Sequence, residues 1–445
     1  MAQQKIVHRF DPLLRTADDS FRAPLSAFVR YLETREAKLG GRTRARKAAD
    51  QTKFCFAVEC LLVNLAAAYA LSPKAVVAAP LSNTVLRGNP RYRPAVYGKH
   101  FRDLIALMEA AGLIVIVTKG YNVREWRRSE LTTIRYTAKL LKAFPPLSKT
   151  RGVAFKQIEP PEVVVLKDED GQLLDYTETK GTRRWREEMR TINGFLRDAS
   201  ISISSRKGHI DEDGFSIQPY ARSLRRIWNN GDWEQGGRLY DAFWQTMKRE
   251  DRLHMIRIDD GPIANVDFSQ FNLRLAYALA KVKPPGTDLY DITGKDSAAP
   301  NWQQLREGRK KLTNAMFNRS APLTSWPGKS ADERSSLAAC FPSGTTARTA
   351  ISQIREKHAA IASYFESARG LAFMRIESDI LVASLLSLMK RGIAALPIHD
   401  AVLVPKRYAE VAKRSLERES ERRVGSCIPA DIKILGLVPG IECCP

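Results

Sequence analysis

The stretch that decides the fold is "IANVDFSQFNLRLAYALA", residues 263–280. It runs from an apolar segment typical of a strand into an apolar segment typical of a helix. Asp267 lies at the junction, between Val266 and Phe268. A carboxylate is costly to place among apolar neighbours unless a metal, a cation or hydrogen bonds compensate its charge. The position of Asp267 therefore indicates a functional carboxylate.

A second segment has the same pattern. In "GIAALPIHDAVLVPKRYAEVAKRSLERES" (392–420), Asp400 stands in a tight corner between two apolar strands, and a charged helix follows. Two carboxylates brought together in this way can hold two divalent cations about 4 Å apart, which is the arrangement used for in-line phosphoryl transfer. Mg²⁺ suits such a site because it takes oxygen ligands and keeps several waters.

The residues around Asp267 also predict local structure. "LHMIRIDDGPIANVDFS" (253–269) predicts a hairpin that turns at Asp-Asp-Gly-Pro. Ser269 is then a candidate N-cap for the helix that follows. Asp267 is thus expected at the end of a strand, immediately before a helix.

Composition points to a polyanionic partner. The chain has 445 residues, enough for two or three domains, with 71 Lys and Arg against 49 Asp and Glu and a formal net charge of +22. Such an excess most often serves nucleic-acid binding, and the alternative is a device for solubility without a partner.

The cysteines and the apolar segments exclude other classes of protein. No pair of cysteines has the C-x-x-C spacing of a zinc site, and the chain is too long and too poor in cysteine for a disulfide-stapled secreted domain. No continuous apolar run of about 18 residues occurs, and the N-terminus lacks an apolar signal region. The sequence therefore predicts a soluble cytoplasmic protein with reduced thiols and no membrane partner. The cysteines are Cys55, Cys60, Cys340, Cys427, Cys443 and Cys444.

The first third of the chain predicts helix, strand, turn and strand in that order. "RPAVYGKHFRDLIALMEAAGLI" (93–114) has apolar residues at helical spacing and is followed by the strand-like runs 113–122 and 131–141. This order is that of the end of a winged helix, although other α+β domains share it. Contact with DNA and contact with protein both stay open. The candidate DNA-binding residues are Arg91, Arg93, Lys99 and Arg102.

Several motifs together resemble one family. "VDFSQFNLR" (266–274) resembles motif A of family A DNA polymerases, usually written DYSQIELR, and "LPIHDAVLV" (396–404) resembles motif C, whose centre is His-Asp-Glu. "QGGRLYDAFWQ" (235–245) is similar to the motif that precedes motif A, and "REGRKKLTNAMFN" (306–318) stands where motif B is expected. The match follows the family's order over 235–410 and is closest to short polymerase-like proteins of phages, plasmids and other mobile elements.

The resemblance implies an α+β fold. It would be a right-hand polymerase palm, made of an antiparallel sheet plus helices, with helical fingers. A mostly helical N-terminal domain, for which a winged helix is one interpretation, would precede it. The implied divisions are an N-terminal domain at 1–145, a linker and thumb-like helical segment at 146–234, a first part of the palm at 235–300, fingers at 301–375 and a second part of the palm at 376–445.

The resemblance also implies roles for individual residues. Asp267 and Asp400 would be catalytic and would ligate Mg²⁺ or Mn²⁺, with help from the backbone carbonyl of Phe268. The alternatives are that the Arg306/Lys310 pair is only a solvated helix face and that His399 is only a turn residue. The implied nucleotide-binding residues are Arg306, Lys310, Asn272 and Gln270, and the implied primer or template contacts are Arg238, His399, Arg274 and Gln245.

Three departures from the family pattern bear on activity. The glutamate of motif C is Ala401, and the glutamate of motif A, which in the family screens against a 2′-hydroxyl, is Asn272. Loss of that bulky anion is expected to weaken discrimination between deoxyribo- and ribonucleotides. The Tyr-Gly that ends motif B is replaced by Asn318-Arg319, so the resemblance supplies no aromatic platform for the templating base.

The function implied by the resemblance is template-directed nucleotidyl transfer by a DNA polymerase, with primase or ribonucleotide-incorporating activity as a variant. Its partners would be primer–template DNA, dNTPs, NTPs and other replication proteins. One alternative is a catalytically inactive DNA-binding replication initiator or regulator on a polymerase-like scaffold, which the three departures favour. Another is a single-subunit RNA polymerase, although no promoter-reading part is evident. The sequence predicts neither proofreading nor ATPase activity.

Overall fold

The computed structural model of the protein describes residues 6–16, 18–42, 44–123, 128–150, 154–204, 210–286 and 288–434. In chain order, the strands are β1 Val7–Arg9, β2 Leu14–Thr16, β3 Val76–Ala79, β4 Ile114–Thr118, β5 Tyr121–Val123, β6 Arg128–Glu130, β7 Thr132–Tyr136, β8 Phe155–Gln157, β9 Val164–Lys167, β10 Leu173–Leu174, β11 Ile201–Ile203, β12 Arg225–Asn229, β13 Asp232–Tyr240, β14 Ile256–Ile258, β15 Ile263–Phe268, β16 Leu396–Ile398, β17 Ala401–Pro405 and β18 Ala430–Lys433.

The α-helices follow the same order. They are α1 Asp19–Arg22, α2 Leu25–Lys38, α3 Ala48–Leu71, α4 Asn83–Arg87, α5 Lys99–Ala110, α6 Ala138–Ala143, α7 Lys180–Asp198, α8 Phe243–Thr246, α9 Arg249–Met255, α10 Phe271–Ala280, α11 Trp302–Asn318, α12 Ala331–Ala338, α13 Ala347–Lys357, α14 Gly370–Met389 and α15 Ala409–Val424. This mixture of helices and sheets confirms the α+β class. The assignment to palm, fingers and winged helix stays a prediction.

The chain folds into two compact units. Unit 1 comprises Met1–Val165, Leu173–Arg225 and Tyr240–Pro262, and unit 2 comprises Leu166–Gln172, Arg226–Leu239 and Ile263–Pro445. Each unit is assembled from segments that are distant in sequence. The linear division expected from the motifs stays a prediction.

Unit 1 is built on a four-stranded sheet in the order β1-β3-β7-β4, in which β1 runs parallel to β3. The apolar helix α3 packs against this sheet and against α5. It is the one helix among the described residues with the length and hydropathy to cross a bilayer, with a mean hydropathy of 1.9 over 18 residues. Most of that window is buried inside the protein, as expected for the core helix of a soluble protein.

The helix, strand and strand expected in unit 1 are present. The four apolar residues at helical spacing, Phe101, Leu104, Ile105 and Met108, all point into the core from α5. Gly112 follows the helix with φ +67°, a conformation that glycine adopts without steric cost. Strands β4 and β7 then pair antiparallel. The sequence therefore predicted α5 and β4 correctly, but only the first part of the run 131–141 is a strand, because residues 138–141 belong to helix α6.

Unit 2 contains an antiparallel sheet in the order β16-β17-β15-β18. Helix α15 packs against β15, β17 and β18, and α14 packs against α15. Along β15 the side chains alternate, because successive residues of a strand point to opposite faces. Val266 and Phe268 are buried, whereas Asn265 and Asp267 are only half-buried.

The hairpin predicted for residues 253–269 is wrong. Asp259 and Asp260 do form a turn, with φ +51° and +58°, but the flanking segments do not pair as the two strands of a hairpin. Met255 ends helix α9, and β14 pairs with β11 inside unit 1. Strand β15 pairs with β17 and β18 inside unit 2. A turn signal is local, so it does not specify which strands a segment joins.

The N-cap predicted at Ser269 is also wrong. The residue preceding α10 is Gln270, which has a left-handed backbone with φ +55° and makes no side-chain capping bond. The backbone N–H of Ser269 instead donates to the carbonyl of Pro429. The chain therefore passes from β15 to α10 through a two-residue turn, Ser269 and Gln270, in which Gln270 has the left-handed conformation.

Candidate active site

Strand register in unit 2 brings the two predicted catalytic aspartates together. Asp267 lies opposite Ala401 on β17, and Asp400 immediately precedes Ala401. The backbone N–H of Phe268 donates to the carbonyl of Asp400 over 3.4 Å. Since neighbouring strands lie about 4.8 Å apart, the two carboxylates stem from adjacent backbone positions at one end of the sheet.

A two-residue turn presents Asp400. Ile398 pairs with Ala401, so that His399 and Asp400 form the connection between β16 and β17. His399 has φ +52°, in the left-handed region that non-glycine residues rarely occupy. Such strained positions persist where the surrounding structure fixes them, and they concentrate at functional sites. His399 itself is exposed, as a contact for a substrate requires.

At Asp267, burial and a neighbouring carboxylate outweigh the nearby positive charges. Burial and the negative charge of Asp400 raise the pKa of Asp267 above its usual range, and the ammonium groups of Lys433 and Lys310 oppose this shift. Paired carboxylates with a raised pKa are typical of sites where a cation or a shared proton neutralises them.

Lys433 is a part of this site that the sequence did not reveal. On β18, Asp431 lies opposite Asp267 and Lys433 lies opposite Asn265, so all four side chains belong to one face of the sheet. The Nζ atom of Lys433 lies 3.1 Å from Oδ2 of Asp267. The pattern of an exposed strand gave no signal for this contact.

The donor set fits a cation that keeps much of its own hydration. Within the described residues there is no group of three or more His, Cys, Asp or Glu side chains that could hold a metal. Asp267 and Asp400 supply two carboxylates from adjacent positions, which is enough for Mg²⁺ because that ion binds through one or two carboxylates, waters and substrate phosphates. The role expected for the backbone of Phe268 stays a prediction.

Arg238 is held by a carboxylate that the sequence did not identify as functional. Its Nε and Nη2 atoms each lie 2.6 Å from an oxygen of Glu377 on α14. Glu377 is 2% exposed, and burial together with the charges of Asp400 and Asp267 raises its pKa to about 7, although Arg238 opposes the shift. The available signal was a glutamate within a largely apolar helix that also contains Arg375 and Asp379.

Two glycines let the strand that carries Arg238 lie close to α14. Gly236 and Gly237 have φ +91° and +83°. A Cβ atom on Gly237 would lie 2.9 Å from the hydroxyl of Ser378, and the carbonyl of Gly237 accepts a hydrogen bond from Nε of Arg226 over 2.8 Å. The Gly-Gly-Arg sequence therefore places Arg238 where Glu377 can hold it.

The two basic residues predicted to face a nucleotide lie one turn apart on α11. Nε of Arg306 lies 2.7 Å from Oδ2 of Asp288, and its guanidinium lies 5.2 Å from the ring centre of Tyr290. Lys310 is exposed, and its charge contributes to lowering the pKa of Asp267. The charge of Lys310 thus acts on Asp267, whereas Arg306 is held by Asp288.

The residues expected near the sugar make amide contacts. Nδ2 of Asn272 donates to Oδ1 of Asn314 over 2.9 Å, and Asn314 lies one helical turn beyond Lys310. Oε1 of Gln270 accepts the backbone N–H of Leu289 over 2.7 Å. Arg274 is half-buried on α10. Burial lowers the pKa of its guanidinium, although the negative charges of Asp288 and Asp431 oppose this shift.

A buried histidine fixes the loop that carries Asp288 and Tyr290. Nε2 of His358 donates to the carbonyl of Leu289 over 3.0 Å, and Nδ1 accepts from the Tyr277 hydroxyl over 2.9 Å. Burial lowers the pKa of His358 to about 4, so the ring is neutral at physiological pH. The sequence gave no signal for His358.

The remaining predicted contacts lie in unit 1. Gln245 is in α8, where its side-chain carbonyl accepts the backbone N–H of Ala242 over 3.2 Å. Arg91 contacts Asp175 at 2.5 Å and Glu178 at 3.1 Å, and it lies over the ring of Tyr176. The functional roles predicted for Gln245 and Arg91 stay predictions.

The predicted DNA-binding residues around α5 also make contacts within unit 1. Arg93 donates to the carbonyl of Arg87, and Arg102 donates to that of Leu81. Lys99 is exposed at the start of α5, but Asp103 and Glu109 are exposed on the same helix. A mixed face of this kind is a weak match for a phosphate backbone, which favours clustered positive charge.

Comparison with known proteins gives a partial likeness. No family model matches the sequence, and no curated protein matches it. Among solved structures, the POL domain of Pol1 from M. smegmatis, in complex with DNA primer-template and dNTP, is similar with a TM-score of 0.32 and 12% identity. The match covers 60% of this chain and 56% of that chain, so it spans little more than half of the neighbour. The case for a function therefore rests on the residues of the site.

Proposed function

We propose that the protein is a template-directed nucleotidyltransferase that extends a 3′-hydroxyl with Mg²⁺ or Mn²⁺, as a DNA polymerase does. The observation that carries the proposal is the placement of Asp267 and Asp400 at adjacent positions of one sheet, with the pKa of Asp267 raised by burial and by Asp400. Neighbouring carboxylates are suited to bind divalent cations.

The roles of the chain's own groups follow from the geometry of unit 2. Bound divalent cations would supply Lewis acidity and neutralise the phosphates. Asp267 and Asp400 would hold them, and Lys310 would stabilise negative charge on the phosphates. Asp288 restrains Arg306 and so limits its side-chain freedom before a nucleotide arrives.

The proposed partners are primer–template DNA, dNTPs and NTPs, with other replication proteins in a cytoplasmic setting. The net charge of +22 supports a polyanionic partner. Asn272, an uncharged amide, supports admission of ribonucleotides and therefore primer synthesis as a variant of the same activity. Arg238 and His399 are the proposed contacts to the primer or template, and unit 1 is a proposed second region of DNA contact.

Extension of a labelled primer tests this proposal. Wild type, Asp267→Asn and Asp400→Asn are compared with Asp332→Asn, a control that removes an exposed carboxylate from α12. We expect extension by wild type and by the control and none by the two site variants. If wild type adds no dNTP or NTP to any primer with Mg²⁺ or Mn²⁺, the proposal is wrong.

A second candidate is a non-catalytic DNA-binding replication initiator or regulator. The specific observation in its favour is that the ammonium group of Lys433 already neutralises Asp267, so this carboxylate can have a structural role. In that case the Asp267→Asn protein would keep its footprint on DNA and its function in replication.

A further inference from the structure

We infer that Lys433 is a resident counter-cation of Asp267, and that it competes with a divalent cation for this carboxylate and so sets the metal affinity of unit 2. The inference rests on the proposed function, because it concerns the same carboxylates. It assigns a role to a residue on β18, a strand that none of the catalytic motifs includes.

The register of the sheet fixes the contact. Asp267 on β15 lies opposite Asp431 on β18, and Lys433 stands two residues further along β18 on the same face. Diagonal neighbours of this kind are within reach of long side chains. From this position the Nζ atom of Lys433 lies 3.1 Å from Oδ2 of Asp267.

On the other side of Asp267, strand β17 offers no side chain that could pair with this carboxylate. The residue directly opposite is Ala401, whose methyl group carries neither charge nor hydrogen-bonding capacity. The nearby carboxylates Asp400 and Glu377 are negative when ionised, and Glu377 is already engaged by Arg238. The ion pair with Lys433 is therefore the direct contact that offsets the charge of Asp267, and the charge of Lys310 adds to it.

The same oxygen cannot serve a cation and the ammonium group equally well. A divalent cation bound at Oδ2 would lie close to a positive charge, so its binding requires the lysine side chain to withdraw. Withdrawal is feasible because the Lys433 side chain is 49% exposed and that of Asp267 is 26% exposed. The ion pair is thus strong enough to reduce metal affinity but too exposed to prevent binding, and we expect an effect of about two- to fivefold.

Titration of the full chain with Mn²⁺, followed by electron paramagnetic resonance of the free ion, tests the inference without measuring activity. The variants are Lys433→Gln, which removes the charge, and Lys433→Arg, which keeps it. Lys390→Gln is the control, since Lys390 is exposed just after α14. We expect Lys433→Gln to bind Mn²⁺ about two- to fivefold more tightly than wild type, and the other two variants to bind as wild type does.

The results separate this inference from the proposed function when Asp267→Asn is included. If wild type binds Mn²⁺, Asp267→Asn loses it and Lys433→Gln binds as wild type or more weakly, only the role of Lys433 is overturned. If neither wild type nor Lys433→Gln binds Mn²⁺, both proposals fail. If Lys433→Gln binds Mn²⁺ and wild type does not, Lys433 blocks the cation completely, which supports the inference.

Discussion

Arg238 and Glu377 form a bidentate ion pair inside unit 2, with both N···O distances at 2.6 Å. Because Glu377 is almost completely buried, replacing Arg238 by alanine leaves a carboxylate without its partner in an apolar setting. We expect Arg238→Ala to destabilise unit 2 by about 3–5 kcal/mol. Hydrogen exchange of the α14 amides, followed by mass spectrometry, measures the effect where it should occur.

The double variant distinguishes charge from packing. Glu377→Gln removes the buried charge at nearly constant volume, so Arg238→Ala combined with Glu377→Gln should recover part of the protection lost in Arg238→Ala. Equal exchange in the single and the double variant would mean that the ion pair contributes no electrostatic stabilisation.

Acid is expected to destabilise each unit through one buried histidine. Burial lowers the pKa of His8 in unit 1 and of His358 in unit 2 from 6.5 to about 4. The unfolded chain therefore binds these protons before the folded chain does, and the contribution of each histidine to stability is lost as pH decreases from about 6.5 to about 4. The loss is about 3 kcal/mol per histidine over that window, measured as the free energy of unfolding against pH.

Substitution isolates the histidine contribution in unit 2. Glu377 acts in the opposite sense, because its pKa is raised to about 7, so its contribution is lost as pH rises from about 4.5 to about 7. His358→Gln, whose amide can still donate to the carbonyl of Leu289, should remove the loss due to the histidine, so that unit 2 gains stability through Glu377 as pH falls from about 7 to about 4.5. His254→Gln, at an exposed position, should leave that loss in place. An unchanged pH profile in His358→Gln would refute this assignment.

We expect Lys310 to contribute more to catalysis than the adjacent Lys311. Both Lys310 and Lys311 are exposed on α11, but the charge of Lys310 acts on Asp267. We expect Lys310→Ala to lower kcat/KM for nucleotide addition by about ten- to hundredfold, since it removes a positive charge facing the phosphates. Lys311→Ala is the matched control and should behave as wild type in the same primer-extension assay. Equal losses of kcat/KM in both variants would mean that Lys310 is only part of a solvated helix face.

The sequence predicted individual helices and turns better than it predicted which strands pair with each other. Apolar periodicity located α5, because burial of one helix face leaves a pattern in a short window. The turn at Asp259 and Asp260 was also local and is present, but the hairpin built on it is wrong because strand pairing is decided by distant segments.

The sequence predicted that Asp267 and Asp400 lie close together, because both belong to recognisable motifs. Asp267 and Asp400 were paired by the hypothesis of a metal site, and the register of β15 and β17 brings them to adjacent positions. Lys433 and Glu377 were missed, because their partners lie 166 and 139 residues away in the chain. Their roles depend on which strand or helix packs beside the site, which no local pattern records.

Asn272 is expected to govern which sugar the site admits. Its Nδ2 atom donates to Oδ1 of Asn314 over 2.9 Å, between α10 and α11. Asn272→Glu would place a carboxylate at this position, with a longer side chain and a negative charge. We expect incorporation of NTPs to fall about tenfold relative to dNTPs, because a bulkier anionic side chain leaves less room for a 2′-hydroxyl.

The measurement is single-nucleotide extension of one primer–template with matched dNTP and NTP. Asn272→Gln, which lengthens the side chain without adding charge, separates size from charge: an intermediate shift would assign part of the discrimination to size. Asn314→Ala, which removes the amide partner, should alter the sugar preference less than Asn272→Glu does, because Asn272 keeps its own amide. If Asn272→Glu slows dNTP and NTP addition by the same factor, Asn272 does not lie beside the sugar, and the assignment of α10 to the nucleotide site must be abandoned.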